Sequence, residues 1–289
     1  MKFRTEIEHP AGSHLLSHDE PVVLLGSCFS DEIGRQLSLD GFDVVHNPLG
    51  PLYNPVSIAN LVRRTLEGAD YTETDFVPGP QGMHCLDYAS RYSGADFRTV
   101  ADEINRKLYE LRTRLSQGAT VIITLGSAFV YRHIPTGRDV GNCHKFPGTD
   151  FIRRRISYED CSEILGNCTD RLLNSGAGHI IITVSPIRHL ADGLAGNSVS
   201  KSTLRLAADT VVAAHPTRAD YFPSYEIMLD DLRDYRFYAA DMKHPSPTAV
   251  EYIYDIFSST YFDRQTDSKA SGFRKLHLQE AHRPIIRQL

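Results

Sequence analysis

Residues 21–37 read PVVLLGSCFSDEIGRQL. The apolar, β-branched run at 22–25 has the length and composition of a strand covered on both faces. Gly26 ends it, Ser27 and Cys28 follow, and residues 30–39 continue in a helical pattern. A strand that turns directly into a helix predicts one arm of a βαβ unit. The pattern recurs along the chain. Short apolar runs at 42–45, 121–125 and 180–184, with a weaker one at 221–222, alternate with helical patterns at 56–67, 99–117, 157–175, 200–215 and 247–261. Ser157-Tyr158-Glu159-Asp160 has the form of a capping box opening the fourth helix. Strands that alternate with helices need right-handed crossovers, so the expected fold is α/β: a parallel five-stranded sheet in a three-layer α/β/α sandwich.

The remaining composition narrows the class of protein. With 289 residues and 41% hydrophobic content, the chain can bury a full core. The expected organisation is one domain over 1–265, with insertions near 70–98 and 131–156 and a C-terminal tail at 266–289. The 31 basic and 36 acidic residues are scattered and sum to −5, which gives no electrostatic footprint for nucleic acid. Arg153-Arg154-Arg155, the one basic run, reads as a solvated turn. No apolar stretch approaches the roughly 20 residues of a membrane span, and none follows Met1 as in a signal peptide, so a cytoplasmic protein is expected. Cysteines 28, 85, 143, 161 and 168 form no CxxC pair, and reduced thiols are the simplest reading.

Ligands of doubly wound sheets bind beyond the carboxyl ends of the strands. The residues there are Gly26-Ser27-Cys28, the loop 46–50 ending in Gly50, Gly126-Ser127-Ala128, and the segment 185–189 with Arg188 and His189. A late loop, Asp241-Met242-Lys243-His244-Pro245, joins them if it packs over the same edge. In that loop Asp241 can orient the imidazole of His244 as a base, or the pair can be a capped turn. Cys28 can be a nucleophile or a small buried hydrophobe, and Ser27 a nucleophile or a helix cap. A helix N-terminus favours thiolate, whereas Asp31 and Glu32 in the first turn oppose it. Gly50, with proline on either side of its loop, can offer a backbone donor to an oxyanion or can serve a tight turn.

Several blocks together resemble the GSCFA family, placed among SGNH/GDSL-type hydrolases: GSCFS at 26–30, NPLGPLYNP at 47–55, TLGSAFVYR at 124–132, GNCHK at 141–145, TVSPIRH at 183–189, SKSTL at 200–204, and the long block at 221–246 ending DMKHPS. The resemblance implies a flavodoxin-like SGNH architecture and an acyl-enzyme mechanism. Its Asp-x-x-His block falls on Asp241 and His244, and its oxyanion glycine on Gly50. Its Gly-Asp-Ser block places Cys28 at the nucleophile position and Ser27 where relatives carry Asp. The oxyanion Asn position, counted from Gly126, holds Ala128, which cannot donate. Asn142 or His144 in GNCHK can fold back to replace it, or Asn142 can be a turn residue. Arg188 can bind an anionic substrate or hold an ion pair. Cys143 and His144 fit no zinc spacing, and neither a metal nor a cofactor is expected. The expected activity is hydrolysis of a small-molecule or carbohydrate acyl ester through Cys28 (or Ser27). The alternatives are an acyltransferase acting on a carbohydrate or cell-envelope precursor and a non-catalytic binder of a carbohydrate or acyl ligand.

Overall fold

A computed structural model of the protein describes residues 5–79 and 82–281. Its central sheet has five parallel strands, β1 (Val22–Gly26), β2 (Val44–His46), β3 (Thr120–Leu125), β4 (His179–Val184) and β5 (Ala219–Phe222). Their order is β5-β4-β3-β1-β2. The chain switches direction between β1 and β3, the place where doubly wound sheets open a crevice.

The helices are α1 (Cys28–Leu39), α2 (Pro55–Glu67), α3 (Phe97–Ser116), α4 (Tyr158–Asn174), α5 (Gly193–Ala214), α6 (Pro247–Tyr261) and α7 (Arg264–Ala281). Period-2 alternation along each strand feeds two separate cores. Val23, Leu25, Val121 and Ile123 pack with apolar residues of α2 to α5, whereas Val22, Leu24 and Ile122 pack with Phe29, Ile33 and Leu37 of α1 and with α6. The result is the expected three-layer sandwich with a flavodoxin-like strand order.

Two boundaries and one assignment differ from the sequence reading, each for a local reason. The second strand starts at Val44 and not at Phe42, because Phe42 completes the end of α1. Gly41, at φ +85°, donates to the Ser38 carbonyl and Phe42 donates to that of Leu37, which is a Schellman cap. Helix α5 begins at Gly193, seven residues before the expected start, because Gly193 and Gly196 hide the helical pattern there. The arginine run is not a solvated turn. It lies in the strand Phe151–Arg155 of a three-stranded antiparallel sheet with Phe129–His133 and Arg138–Val140, where Arg153 pairs with Asp192 and Arg154 with Asp139. A second small antiparallel sheet joins Val77–Gly79, Gly82–His84 and Ser93–Gly94.

Candidate active site

The turn out of β1 is built on Gly26, at φ +141°, where a Cβ would meet the Thr124 carbonyl oxygen at 2.1 Å. Only glycine passes this close to β3. The next residue, Ser27, is 1% exposed and caps α1. Its N–H donates to the Thr124 carbonyl (3.0 Å), its hydroxyl donates to Ser185 Oγ (2.9 Å), and the same oxygen accepts the Phe29 N–H (3.3 Å). Cys28 then occupies the first helical position, half-buried at the rim of the sheet.

Facing it is the loop before α6. His244 Nε2 lies 3.8 Å from Cys28 Sγ, and His244 Nδ1 lies 2.6 Å from Asp241 Oδ2. The other carboxylate oxygen accepts the backbone N–H groups of Lys243 (2.9 Å) and His244 (3.0 Å). Those two backbone donors, with the ring, hold the Asp241 carboxyl well below the usual range, so it stays an anion. The anion selects the Nδ1–H tautomer and leaves Nε2 as an acceptor toward the thiol. Met242, at φ +57°, makes the bend between Asp and His, and the Arg188 N–H fixes the loop through the Lys243 carbonyl (3.0 Å).

Burial pushes the Cys28 thiol up; Tyr53 and its own backbone N–H oppose this, while Asp31 and Glu32 add to it. The expected influence of the two acidic residues is therefore present, secondary to desolvation. Tyr53 Oη lies 4.0 Å from Sγ, and burial with the adjacent thiol pushes the phenol up to about 12, so it remains an O–H donor. The cleft here holds about 280 Å³ between Cys28, Phe29, Ile187, His244, Pro245 and Val250.

The other residues singled out in the sequence are placed elsewhere or used differently. Gly50 closes a turn: its N–H donates to the Asn47 carbonyl (2.8 Å), and at φ +92° a Cβ would lie 2.5 Å from that of Ala89. Its donor is thus already engaged. The amides of Gly126 and Ser127 both donate to the Tyr53 carbonyl (2.8 and 2.7 Å), which ties the Tyr53 segment to the end of β3. Ala128 is buried, its N–H on Ser200 Oγ (2.8 Å). Asn142 Oδ1 accepts from Ser90 Oγ (3.1 Å) and the His144 N–H (2.9 Å), so it is a turn residue of the insertion. His144 is buried, with Nδ1 3.3 Å from His84 Nδ1 and Nε2 2.9 Å from the Tyr88 carbonyl. The Arg188 guanidinium lies over the rings of Tyr238 (3.8 Å) and Tyr235 (5.3 Å). Among the described residues, no group of three His, Cys, Asp or Glu side chains converges as metal ligands, and no helix is long and apolar enough to cross a membrane.

Tyr53 is a contributor that the sequence reading does not single out, and Ser185, the first residue of the segment 185–189, is placed at the sheet edge by the sequence but given no role there. Tyr53 stands in the NPLGPLYNP block just before the α2 cap Asn54, a place that delivers its ring to the strand ends. Ser185 follows β4 directly, and its role depends on which strand neighbours β3.

Among solved structures the chain is similar to a putative SGNH hydrolase from Slackia heliotrinireducens, at 12% identity and TM-score 0.41, covering 83% of this chain and 98% of the other. It is also similar to a carbohydrate esterase family 2 enzyme with a carbohydrate-binding domain from Corynascus thermopiles (Myceliophthora fergusii), at 12% identity and TM-score 0.45, covering 92% and 69%. A third is a single-residue variant of an acetyl-xylooligosaccharide esterase from Geobacillus Stearmophilus, at 11% identity and TM-score 0.43, covering 89% and 98%. A search of curated proteins found no match. The sequence profile of the GSCFA family matches residues 21–257, from the strand that delivers Cys28 to the helix that follows His244, and the chain belongs to that family.

Proposed function

We propose that the protein is an acyl-ester hydrolase in which Cys28 is the nucleophile, His244 the general base and Asp241 its orienter. The observation that carries this reading is the alignment of the Asp241 carboxylate, the His244 ring and the Cys28 sulfur, at 2.6 and 3.8 Å. As the resting thiol lies above its ordinary range, it must lose its proton during attack, and Nε2 is the acceptor in reach.

In the first half-reaction Sγ bonds to the ester carbonyl carbon while its proton passes to Nε2. The oxyanion accepts from the Cys28 N–H, one of the amides that a helix start leaves unpaired, and from the Tyr53 hydroxyl. Collapse breaks the bond to the alcohol oxygen, which takes the proton back from His244 and leaves a thioester on Cys28. Water then attacks the thioester with the same base, releasing the acid and restoring the thiol. A cleft of about 280 Å³ favours a short acyl group. Ser27 has no part in bond making, since its oxygen is buried and engaged at the helix cap.

Hydrolysis of p-nitrophenyl acetate by the native chain and by Cys28→Ala, Ser27→Ala and His244→Ala tests the assignment, with the acyl-enzyme trapped and located by peptide mass. Turnover should vanish in Cys28→Ala and persist in Ser27→Ala. Acetylation found on Ser27, or full turnover without Cys28, would overturn it.

A further inference from the structure

The sulfur and the imidazole come from residues 216 apart in the chain, and the contact between them, at 3.8 Å, is too long to hold either in place. Their separation is set by whatever touches both halves, and the segment after β4, residues 185–188, does so. Ser185 is fixed at every polar atom. Its N–H donates to the Leu125 carbonyl (2.8 Å), and its carbonyl accepts from Nζ of Lys201, a buried lysine of α5 (2.7 Å). Its Oγ accepts from the Ser27 hydroxyl (2.9 Å) and the Ile187 N–H (3.3 Å). Through Ser27 it holds the cap of the helix that begins at Cys28.

Three residues on, Arg188 holds the histidine side. Residues 237–246 form a tight hairpin: the Ser246 N–H donates to the Phe237 carbonyl (2.8 Å), Tyr238 pairs with Pro245, and the Ala239 N–H donates to the His244 carbonyl (2.8 Å). Arg188 grips this hairpin twice. Its N–H reaches the Lys243 carbonyl at the tip (3.0 Å), and its guanidinium lies 3.8 Å from the centre of the Tyr238 ring in the stem, with the Tyr235 ring at 5.3 Å. Any residue but proline offers the first hold. The second calls for a flat cation that lies on an aromatic face, which lysine cannot match.

We propose that Arg188 is a positioning residue for His244: its guanidinium braces the hairpin stem against the fixed end of β4, so that the imidazole stays in reach of a sulfur registered by the same segment. Its effect is then exerted through His244 alone. For its meaning in ester hydrolysis the inference rests on the Cys28–His244 reading, whereas its test has an arm that needs no turnover.

The test is a double-mutant cycle of the native chain, Arg188→Ala, His244→Ala and the double variant. It is read by kcat and KM for p-nitrophenyl acetate, and by the rate of iodoacetamide alkylation of Cys28 at neutral pH, with peptide mass separating Cys28 from Cys143. Removing Arg188 should lower kcat by about 10- to 10²-fold with KM unchanged, the usual toll of a misplaced group. It should slow alkylation by about three- to tenfold, because a displaced Nε2 no longer takes the thiol proton. Both losses should vanish where His244 is already alanine. Arg188→Lys keeps the charge without the flat face and should fall with Arg188→Ala; it carries the same cycle if the alanine variant does not fold. Losses of equal size with and without His244 overturn the proposal and leave a structural arginine. Unchanged alkylation in a folded Arg188 variant, or a lysine variant with native rates, overturns it as well. A raised KM with kcat intact, for p-nitrophenyl acetate or for the anionic p-nitrophenyl hemisuccinate, overturns it in favour of an arginine that binds substrate. If the native chain hydrolyses no ester, alkylation that depends on Arg188 only while His244 is present supports the positioning and refutes only the hydrolase reading.

Discussion

Two loops of this molecule present a histidine by nearly the same local device and put it to opposite uses. In 141–145 the Asn142 side chain accepts the His144 N–H, and in 241–244 the Asp241 side chain accepts the His244 N–H. Both bends need a residue at positive φ, His144 itself in one and Met242 in the other. The loops diverge at the ring. His144 is buried, and both its nitrogens are taken up by His84 and the Tyr88 carbonyl. His244 is half-exposed, one nitrogen on a carboxylate and the other facing a sulfur. A turn motif thus supplies a placed imidazole, and the partner of the second nitrogen decides whether it is structure or chemistry.

The comparison breaks most sharply at His244. Replacing it by alanine should lower kcat for ester hydrolysis by about 10²–10⁴, the usual worth of a positioned base, with KM little changed. Asp241→Asn, which keeps the turn but removes the charge that selects the tautomer, should fall in the same range. Tyr53→Phe should lose about 10²-fold in kcat if its hydroxyl serves the oxyanion, and steady-state kinetics would show the loss in kcat and not in KM.

On the other side of the comparison, His144→Ala should leave Cys28 alkylation unchanged while costing about 2–3 kcal/mol in denaturant unfolding, from the cavity and the stranded partners. Burial lowers both His84 and His144, so the folded state favours their neutral forms. Their contribution is complete above the unfolded value of about 6.5 and declines as pH falls through the lower folded values. Hydrogen exchange in 82–94 and 141–147 should therefore quicken below about pH 6 before the central sheet does. The smallest expected effect is in Ser27→Ala, about 1 kcal/mol for the lost cap with turnover largely retained.

The sheet and most helices were legible because hydrophobic period and glycine punctuation are local signals. The same holds for Asp241 and His244, whose relation is fixed within four residues. Gly50 was misleading for a physical reason. A glycine between prolines marks a sharp bend, but where its N–H points depends on closure of the Asn47 turn and on Ala89, which is distant in sequence. The role of Ser27 required knowing that β4 brings Ser185 alongside it. Lys201 falls on the stripe Asn197, Ser200, Leu204, Ala208 and Val211, the buried face of α5, and its donation to the Ser185 carbonyl depends on how β4 lies against that helix, which no local pattern states. The GNCHK loop, expected as a possible neighbour of the site, instead packs through His144 on His84 of the small sheet formed by Val77–Gly79, Gly82–His84 and Ser93–Gly94.

One anchor at the far end of α1 bears on how this protein is cut and handled. Asp40 is wholly buried just past the helix that begins at Cys28, with Tyr254 Oη at 2.6 Å and the Arg274 guanidinium at 2.6 Å as its partners. Arg274 belongs to α7, beyond residue 257 where the family match ends. A chain shortened to the matched segment would leave the buried Asp40 carboxylate with Tyr254 but without its cation, and trypsin or a stop codon acting before residue 274 would loosen the helix on which Cys28 stands without touching the cleft.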